Sequence, residues 1–156
     1  MILAASGHRP DKLGGYSSAI ATRLQHVAEH GLAELKPQHV IIGMALGWDQ
    51  VVGWAAHARK IPFYAYLPFC GQEETWPVWS QDRYRELLSY AAGIKVCSPG
   101  AYSPGKMQIR NERMVDAADA MFTLYNGSPG GTRNCLEYAT KKNKLVYNCW
   151  DNWAHS

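Results

Sequence analysis

The sequence contains little cysteine, and none of it is spaced to hold a metal ion. Four cysteines occur among 156 residues, and no two of them form a Cys-x-x-Cys pair. A structural zinc site is therefore not expected, and we predict neither a metal nor a cofactor. Thiols in this unpaired pattern are typical of a reducing compartment, so we expect a cytoplasmic protein.

A long apolar run and a strong excess of one charge are also missing. The apolar N-terminus is interrupted by the polar residues 9–12, and no run approaches the roughly 20 residues that span a bilayer. The net charge of +3 is small and scattered along the chain. These absences argue against a membrane partner, and nucleic acid is not an expected partner either.

What the sequence does show is a regular alternation of short apolar segments and amphipathic segments. The apolar segments predict six strands, at residues 1–5, 39–43, 61–67, 93–97, 120–125 and 144–148. Helical spacing of apolar residues predicts five helices, at residues 17–35, 50–59, 82–92, 107–118 and 133–142. Gly31 is a candidate break in the first helix, and residues 150–156 are predicted to form a tail.

The alternation of strands and helices predicts the class of fold. With 47% hydrophobic residues, the chain can bury a core of its own. We expect one α/β domain over residues 1–156, built in three layers around a mostly parallel sheet of about five to six strands.

Glycine-bearing turns follow three of the predicted strands, at residues 6–7, 43–47 and 127–131. The carboxyl ends of parallel strands lie at one edge of a sheet, where ligands bind at the switch in strand order. In the third turn, a strand, a glycine turn and a helix start come in succession. Unpaired N–H groups and the helix dipole would make Gly130, Gly131 and Thr132 a site for an anion.

Polar residues after the first two strands are further candidates. Gly7 permits close backbone approach, Arg9 can form a fork to a phosphate, and His8 can donate a hydrogen bond to a phosphate or act as an acid or base. The alternative is a surface turn in which His8 only packs. Gly47 and Asp49 offer a second turn, in which Asp49 would bind ribose hydroxyls, cap the following helix, or do both.

Two later segments add candidates from a loop and a helix. In the loop at residues 68–81, a base could stack on Trp76 while Gln72 or Glu73 reads its edge or a sugar; the alternative is a solvated acidic loop. Arg110 and Asn111 lie near a predicted helix start and would contact an anion or a sugar, although charged residues are also common on helix surfaces.

Several of these motifs together resemble the YpsA-like proteins of the SLOG superfamily. The motifs are SGHRP at residues 6–10, KLGGY at 12–16, GMALGWD at 43–49, PFCGQE at 68–73 with a tryptophan at 76, RNERMVDAAD at 110–119 and GGT at 130–132. The resemblance spans residues 1–147 and implies a Rossmann-like fold that binds nucleotides or nucleotide-derived molecules. It further implies a bacterial or phage origin and a homo-oligomer.

The resemblance extends to the lonely-guy phosphoribohydrolases, which cleave the N-glycosidic bond of nucleoside monophosphates. Arg110 matches an arginine of these enzymes. Their Pro-Gly-Gly-x-Gly-Thr-x-x-Glu motif is incomplete here, because Thr132 follows the glycine pair directly and Cys135 stands in the place of the glutamate. Glu137 is two positions further along, about 200° around a helix.

The resemblance therefore implies two functions. The first is a protein that binds a nucleotide-derived small molecule, as a sensor or a sequestering protein. The alternative is a hydrolase or transferase acting at the N-glycosidic bond, with Arg110 and either Glu73 or Glu137 as catalytic residues. A third hypothesis is a module that binds another protein through its tryptophan-rich loop and tail.

Overall fold

The computed structural model describes all 156 residues of the chain, from Met1 to Ser156. Its strands are β1 Ile2–Gly7, β2 His39–Ile42, β3 Phe63–Leu67, β4 Gly93–Val96, β5 Ala120–Leu124 and β6 Leu145–Asn148. Its α-helices are α1 Ser18–Leu35, α2 Trp48–Ala58, α3 Val78–Ser89, α4 Lys106–Ala117, α5 Gly131–Lys141 and α6 Trp150–Ala154. The six strands and the first five helices occur in the order that the sequence predicts.

All six strands pair in parallel, in the spatial order β4-β3-β2-β1-β5-β6. The predicted α/β, Rossmann-like fold is thereby confirmed, and no strand runs against the others. The order reverses at β1, because β2 to β4 lie on one side of it and β5 and β6 on the other. A crevice is expected at the carboxyl ends of β1 and β5, where this switch occurs.

Apolar side chains fill both faces of the sheet. The larger core lies on the face covered by α1, α2, α3 and α6, and includes the buried rings of Trp48, Phe63 and Phe122. The smaller core lies under α4 and α5 and includes Met114 and Met121. Because α4 and α5 both contact β1, their first turns border the switch in strand order.

Two local predictions about the backbone are wrong. Gly31 does not break α1, which is continuous; a Cβ at this position would lie 2.6 Å from the Phe122 ring, so the glycine lets the helix approach the sheet. The C-terminal segment is not an extended tail but contains α6. Its Trp153 is buried, with the Arg23 guanidinium 4.2 Å from the ring centroid, and this contact fastens the segment to α1.

None of the helices combines the length and the apolar character needed to cross a membrane. No group of three or more histidine, cysteine, aspartate or glutamate side chains is placed to hold a metal ion.

Candidate functional site

A cavity of about 210 Å³ opens at the carboxyl edge of the sheet, where the strand order switches between β1 and β5. We call it the switch-point cavity. Its walls are the loop after β1, the loop after β2 with the first turn of α2, the first turns of α4 and the turn that leads into α5. Nine of the residues selected from the sequence line it: Gly7, His8, Arg9, Asp49, Arg110, Asn111, Gly130, Gly131 and Thr132.

The turn into α5 presents an open backbone to this cavity. The helix begins at Gly131, two residues earlier than predicted, after Gly130 at a φ of +142°. Apart from the glycine, its chain neighbours and the adjacent helix backbone, no protein atom lies within 4 Å of where a Cβ at Gly127 or Gly131 would be, and the nearest to one at Gly130 is Lys12 Nζ at 4.0 Å. The first N–H groups of a helix have no partner within it. The turn therefore has both the donors and the space for an anion.

Lys12 adds a cation that was not selected from the sequence. Its Nζ atom donates to Ser128 Oγ at 2.8 Å and to the Pro129 carbonyl at 3.2 Å, which ties the loop after β1 to the turn into α5. Lys12 is more than 110 positions from both of these residues in the sequence, so no local pattern predicts the contact. With Arg9 and Arg110, Lys12 makes three cations that line the cavity.

Arg110 forms the floor of the cavity and is buried. Its Nη1 atom donates to the Gly43 carbonyl, and its Nε atom donates to Asn111 Oδ1 at 2.8 Å. Its Nη2 group contacts only Met107 Sδ, at 3.9 Å. Burial lowers the pKa of Arg110, and the carboxylate of Asp49 opposes this shift. The guanidinium is thus held on one side by the protein, while one NH₂ group has no oxygen partner.

Asp49 lies in the first turn of α2 and does not cap the helix. The N-cap is Gly47, so the interpretation of Asp49 as an N-cap is wrong. Burial raises the pKa of Asp49 to about 6, against the opposing effects of Arg110, of Arg9 and of nearby backbone groups. A buried carboxyl group with such a pKa, at the wall of a polar cavity, can accept hydrogen bonds from hydroxyl groups or exchange a proton near neutrality.

His8 faces the neighbouring turn as well as the cavity. Its Nε2 atom lies 2.8 Å from Asn126 Oδ1 and 3.0 Å from the Asn126 backbone nitrogen. Asn126 Oδ1 also accepts a hydrogen bond from the Ser128 backbone at 2.9 Å. Burial lowers the pKa of His8. These contacts support the packing interpretation, in which His8 positions the turn into α5.

Gly7 and Gly47 are required by packing between protein segments. A Cβ at Gly7 would lie 2.5 Å from the Trp48 ring, and one at Gly47 would lie 2.5 Å from the His8 carbonyl oxygen. Gly47 also has a φ of +92°, which other residues rarely adopt. It lies outside the switch-point cavity, so its selection as a ligand contact is not supported by its position.

A second cavity of about 450 Å³ adjoins the first, and both are lined by Arg9 and Met107. We call it the aromatic cavity. Its other walls come from the loop after β3 and the loop after β4: Phe69, Cys70, Gly71, Gln72, Glu74, Thr75, Trp76, Ala101 and Tyr102. The predicted base-binding residues Gln72 and Trp76 therefore lie beside the switch-point cavity and not within it.

The two glutamates selected as catalytic residues line neither cavity. Glu73 is 3.7 Å from the guanidinium of Arg85, and Glu137 is 3.2 Å from that of Arg133 on the exposed surface of α5. Glu137 lies six residues after the start of α5, about 9 Å along the helix axis from the first turn. The acidic residues that do line the switch-point cavity are Asp11 and Asp49.

Comparison with protein families identifies relatives over nearly the whole chain. The YpsA model, described as the YspA SLOG family, matches residues 3–150. The SPbeta prophage-derived protein YoqJ of Bacillus subtilis strain 168 is 36% identical over 144 residues, which cover 82% of this chain and 84% of that protein. A UPF0398 protein of Bacillus thuringiensis strain Al Hakam is 26% identical over 164 residues, 92% of this chain and 85% of that protein.

Among solved structures, DNA processing protein A from Helicobacter pylori is similar in fold. It superposes with a TM-score of 0.67 at 16% identity, and the match covers 95% of this chain and 64% of that one. That protein has a single-stranded DNA binding mode. The comparison therefore gives no support to the expectation that nucleic acid is not a partner, and at this identity it shows the fold alone.

Proposed function

This chain belongs to the YpsA family of SLOG proteins, and we propose that it binds a nucleotide-derived small molecule in the switch-point cavity. The ligand would be a nucleoside phosphate or an ADP-ribose-like compound, and the protein would act as its sensor or would sequester it. The observation that carries this proposal is the open glycine turn at the start of α5, which lines the same cavity as three cations.

The phosphate is assigned to the turn at Gly130, Gly131 and Thr132. Backbone N–H groups at a helix start bind anions without any specific side chain, and the helix dipole adds to the attraction. Lys12 and Arg9 line the same cavity and reinforce the positive potential. The cations exceed the two acidic residues, so the balance of charge favours an anion.

The sugar is assigned to Asp49 and Asn111, both buried at the wall of the cavity. Asn111 Oδ1 accepts a hydrogen bond from Arg110, so its side-chain NH₂ group is the part available to a hydroxyl. Asp49 supplies acceptors. Ligand cavities usually measure about 300–1,000 Å³, so a cavity of about 210 Å³ suits a sugar phosphate better than a whole nucleotide.

Binding measurements on the purified chain test the proposal. We expect ribose 5-phosphate, nucleoside monophosphates or ADP-ribose to bind by calorimetry and to raise the melting temperature. Gly131→Asp, which places a carboxylate at the anion site, should weaken binding at least tenfold, whereas the control Gln38→Asp, at the opposite end of the sheet, should not. Unchanged binding by Gly131→Asp, or no binding of any of these compounds, would show that the proposal is wrong.

An oligonucleotide provides a separate arm of the same experiment. A single-stranded DNA ligand would compete with the small molecules if it used the same turn, and its affinity would fall steeply with salt. Binding of DNA alone, without binding of any nucleotide, would replace the small-molecule proposal with a nucleic-acid one.

Asp49 favours a second candidate function, hydrolysis of an N-glycosidic bond. A carboxyl group with a pKa of about 6 is suited to move a proton at neutral pH. Asp49 would position or deprotonate the water that attacks the sugar, and Arg110 would stabilise the phosphate end. Release of free base from nucleoside monophosphates, lost in Asp49→Asn, would establish this activity; binding without release would exclude it for those compounds.

We also propose that the chain forms a homo-oligomer. Both edge strands expose apolar side chains, with Ile94 of β4 54% exposed and Leu145 of β6 65% exposed. Exposed apolar residues on an unpaired sheet edge are suited to pair with another copy. The molar mass in solution, measured by light scattering, tests this, and a monomer at high concentration would contradict it.

A further inference from the structure

We propose that the aromatic cavity holds the base of the ligand, and that it selects a purine carrying an exocyclic amino group. This inference rests on the proposed function, because the base can reach this cavity only from a sugar phosphate bound next to it. The two cavities have Arg9 and Met107 in common, so a ligand can extend from one to the other past these side chains.

Tyr102 provides the stacking surface. Tyr102 as a residue is 64% exposed, and its ring meets the buried ring of Phe69 edge-on, with centroids 5.9 Å apart. Trp76, which the sequence suggested for this role, is half-buried, meets Tyr84 edge-on at 5.4 Å and packs against the larger core. The face of Tyr102 is therefore more available to a base than that of Trp76.

The loop that carries Tyr102 is held in place by Lys106. The Nζ atom of this lysine donates to the carbonyl oxygens of Pro99 and Ala101, immediately before the tyrosine. An ordered loop loses less conformational freedom when a ligand binds. The stacking surface is thus fixed before the base arrives.

Gln72 supplies the hydrogen bond that distinguishes an amino-bearing base. Its side chain is buried, and its Nε2 atom donates to the Gly43 carbonyl at 3.2 Å and to the Tyr84 hydroxyl at 3.4 Å. Its Oε1 atom accepts no hydrogen bond from the protein. That atom is not enclosed, since the only enclosed side-chain atoms without a partner belong to Trp54 and Thr123. The oxygen is therefore free to accept from a ligand donor.

The size and charge of the aromatic cavity agree with a purine. At about 450 Å³ it is larger than the switch-point cavity and accommodates a two-ring base. Glu74 lines it as a second acceptor, which again favours a base that presents N–H donors. An exocyclic amine offers two such donors, and the unsubstituted purine ring lacks both.

A series of three ligands tests the inference apart from the proposed function. Adenosine 5′-monophosphate should bind about tenfold more tightly than ribose 5-phosphate, because only the former stacks on Tyr102. Purine riboside 5′-monophosphate, which lacks only the amino group, should bind about threefold more weakly than the adenosine compound.

Each comparison of affinities tests a different part of the inference. Equal affinity for adenosine 5′-monophosphate and ribose 5-phosphate would overturn the base site but leave the phosphate site intact. Equal affinity for the two purine compounds would overturn the role of Gln72. Failure of all three to bind, together with no binding of ADP-ribose, would overturn the proposed function and the base site with it.

A matched pair of variants completes the test. Tyr102→Ala should reduce the affinity for adenosine 5′-monophosphate to about that for ribose 5-phosphate and leave the affinity for ribose 5-phosphate unchanged. Tyr16→Ala, which removes a ring that is 60% exposed and contacts Trp79 instead, should change neither affinity. An unchanged affinity of Tyr102→Ala for the adenosine compound, with the variant folded as judged by its melting temperature, would contradict the stacking role.

Discussion

The turn after β2 and the turn after β5 both carry glycines and lie at the same edge of the sheet. In the first, protein atoms occupy the space that a side chain would take: Arg110 Nη1 lies 2.5 Å from a Cβ built on Gly43, and the His8 carbonyl lies 2.5 Å from one built on Gly47. In the second, the corresponding space at Gly127 and Gly131 is open.

The difference shows that glycine has two separate uses at one edge of the sheet. The first turn needs glycine so that the chain can pack against itself, and its role is in stability. The second turn also has positive φ at Gly127 and Gly130, but protein atoms leave the space beside Gly127 and Gly131 open, and an open backbone at a helix start is suited to a ligand. Mutations should therefore affect folding at the first turn and binding at the second.

The largest effect is expected from Gly47→Ala. A φ of +92° costs an alanine about 1–2 kcal/mol, and contact with a backbone carbonyl that cannot move aside adds about 1–3 kcal/mol. We expect the free energy of unfolding to fall by about 4 kcal/mol, as measured by urea denaturation. Gly127→Ala is the control, because its φ of +93° is nearly the same as that of Gly47 and its Cβ would be free. Equal losses in the two variants would contradict the distinction between a filled and an open turn.

The next largest effect concerns Asp49, whose buried carboxyl group lies beside the turn after β2. Its pKa is about 6 in the folded chain and near 3.8 when unfolded, so between these values the folded state holds a proton that the unfolded state has lost. The free energy of unfolding should then fall by about 2 kcal/mol as the pH rises from 4 to 7. Asp49→Asn should lack this loss.

Denaturation of the two proteins at several pH values provides the measurement. The slope with pH is compared rather than the absolute stability, because the substitution also leaves Arg110 without a compensating charge. Asp151→Asn, at an exposed position, serves as the control and should keep the slope of the parent chain. If Asp49→Asn also keeps the slope of the parent chain, a group other than Asp49 titrates in this range.

The comparison also shows what could be predicted from the sequence. The parallel α/β fold follows from the alternation of apolar and amphipathic segments, and strand ends place their turns at one edge whatever the details. For that reason Arg9, Arg110 and the turn at Gly130 could be selected together. The position of each is determined by the strand or helix next to it, so it can be predicted without knowledge of long-range contacts.

Contacts between distant segments could not be predicted in this way. Lys12 reaches Ser128 only because β1 and β5 are neighbours, and no local pattern records that pairing. Glu73 and Glu137 have the chemistry of catalytic residues but face surface arginines. Tyr102 could not be selected from the sequence, because neither the exposure nor the neighbours of an aromatic residue in a loop can be predicted from sequence alone.

At the open turn, Lys12→Met should have a smaller effect, on binding rather than on folding. The lysine is exposed, so the loss of its hydrogen bonds should change the free energy of unfolding by less than about 1 kcal/mol. Loss of its charge beside the anion site should weaken binding of ribose 5-phosphate about fivefold, and less at high salt. Lys60→Met, at the distant end of α2, should bind normally in calorimetry. A large loss of stability in Lys12→Met would mean that the second turn, too, is held for the fold.

The smallest effect is expected from Gly131→Ala, which tests the contrast between the two turns directly. Gly131 is the first residue of α5, has no positive φ, and leaves room for a methyl group. Gly131→Ala should therefore raise the free energy of unfolding by about 0.5 kcal/mol, since alanine restricts the unfolded chain and favours the helix. The Cα–Cβ bond in a helix tilts toward the N-terminus, so the same methyl group would enter the anion site and weaken phosphate binding a few-fold. A gain in stability together with a loss of affinity would show that the glycine is retained for a ligand. If the glycine were retained for the fold, its substitution would lower both stability and affinity.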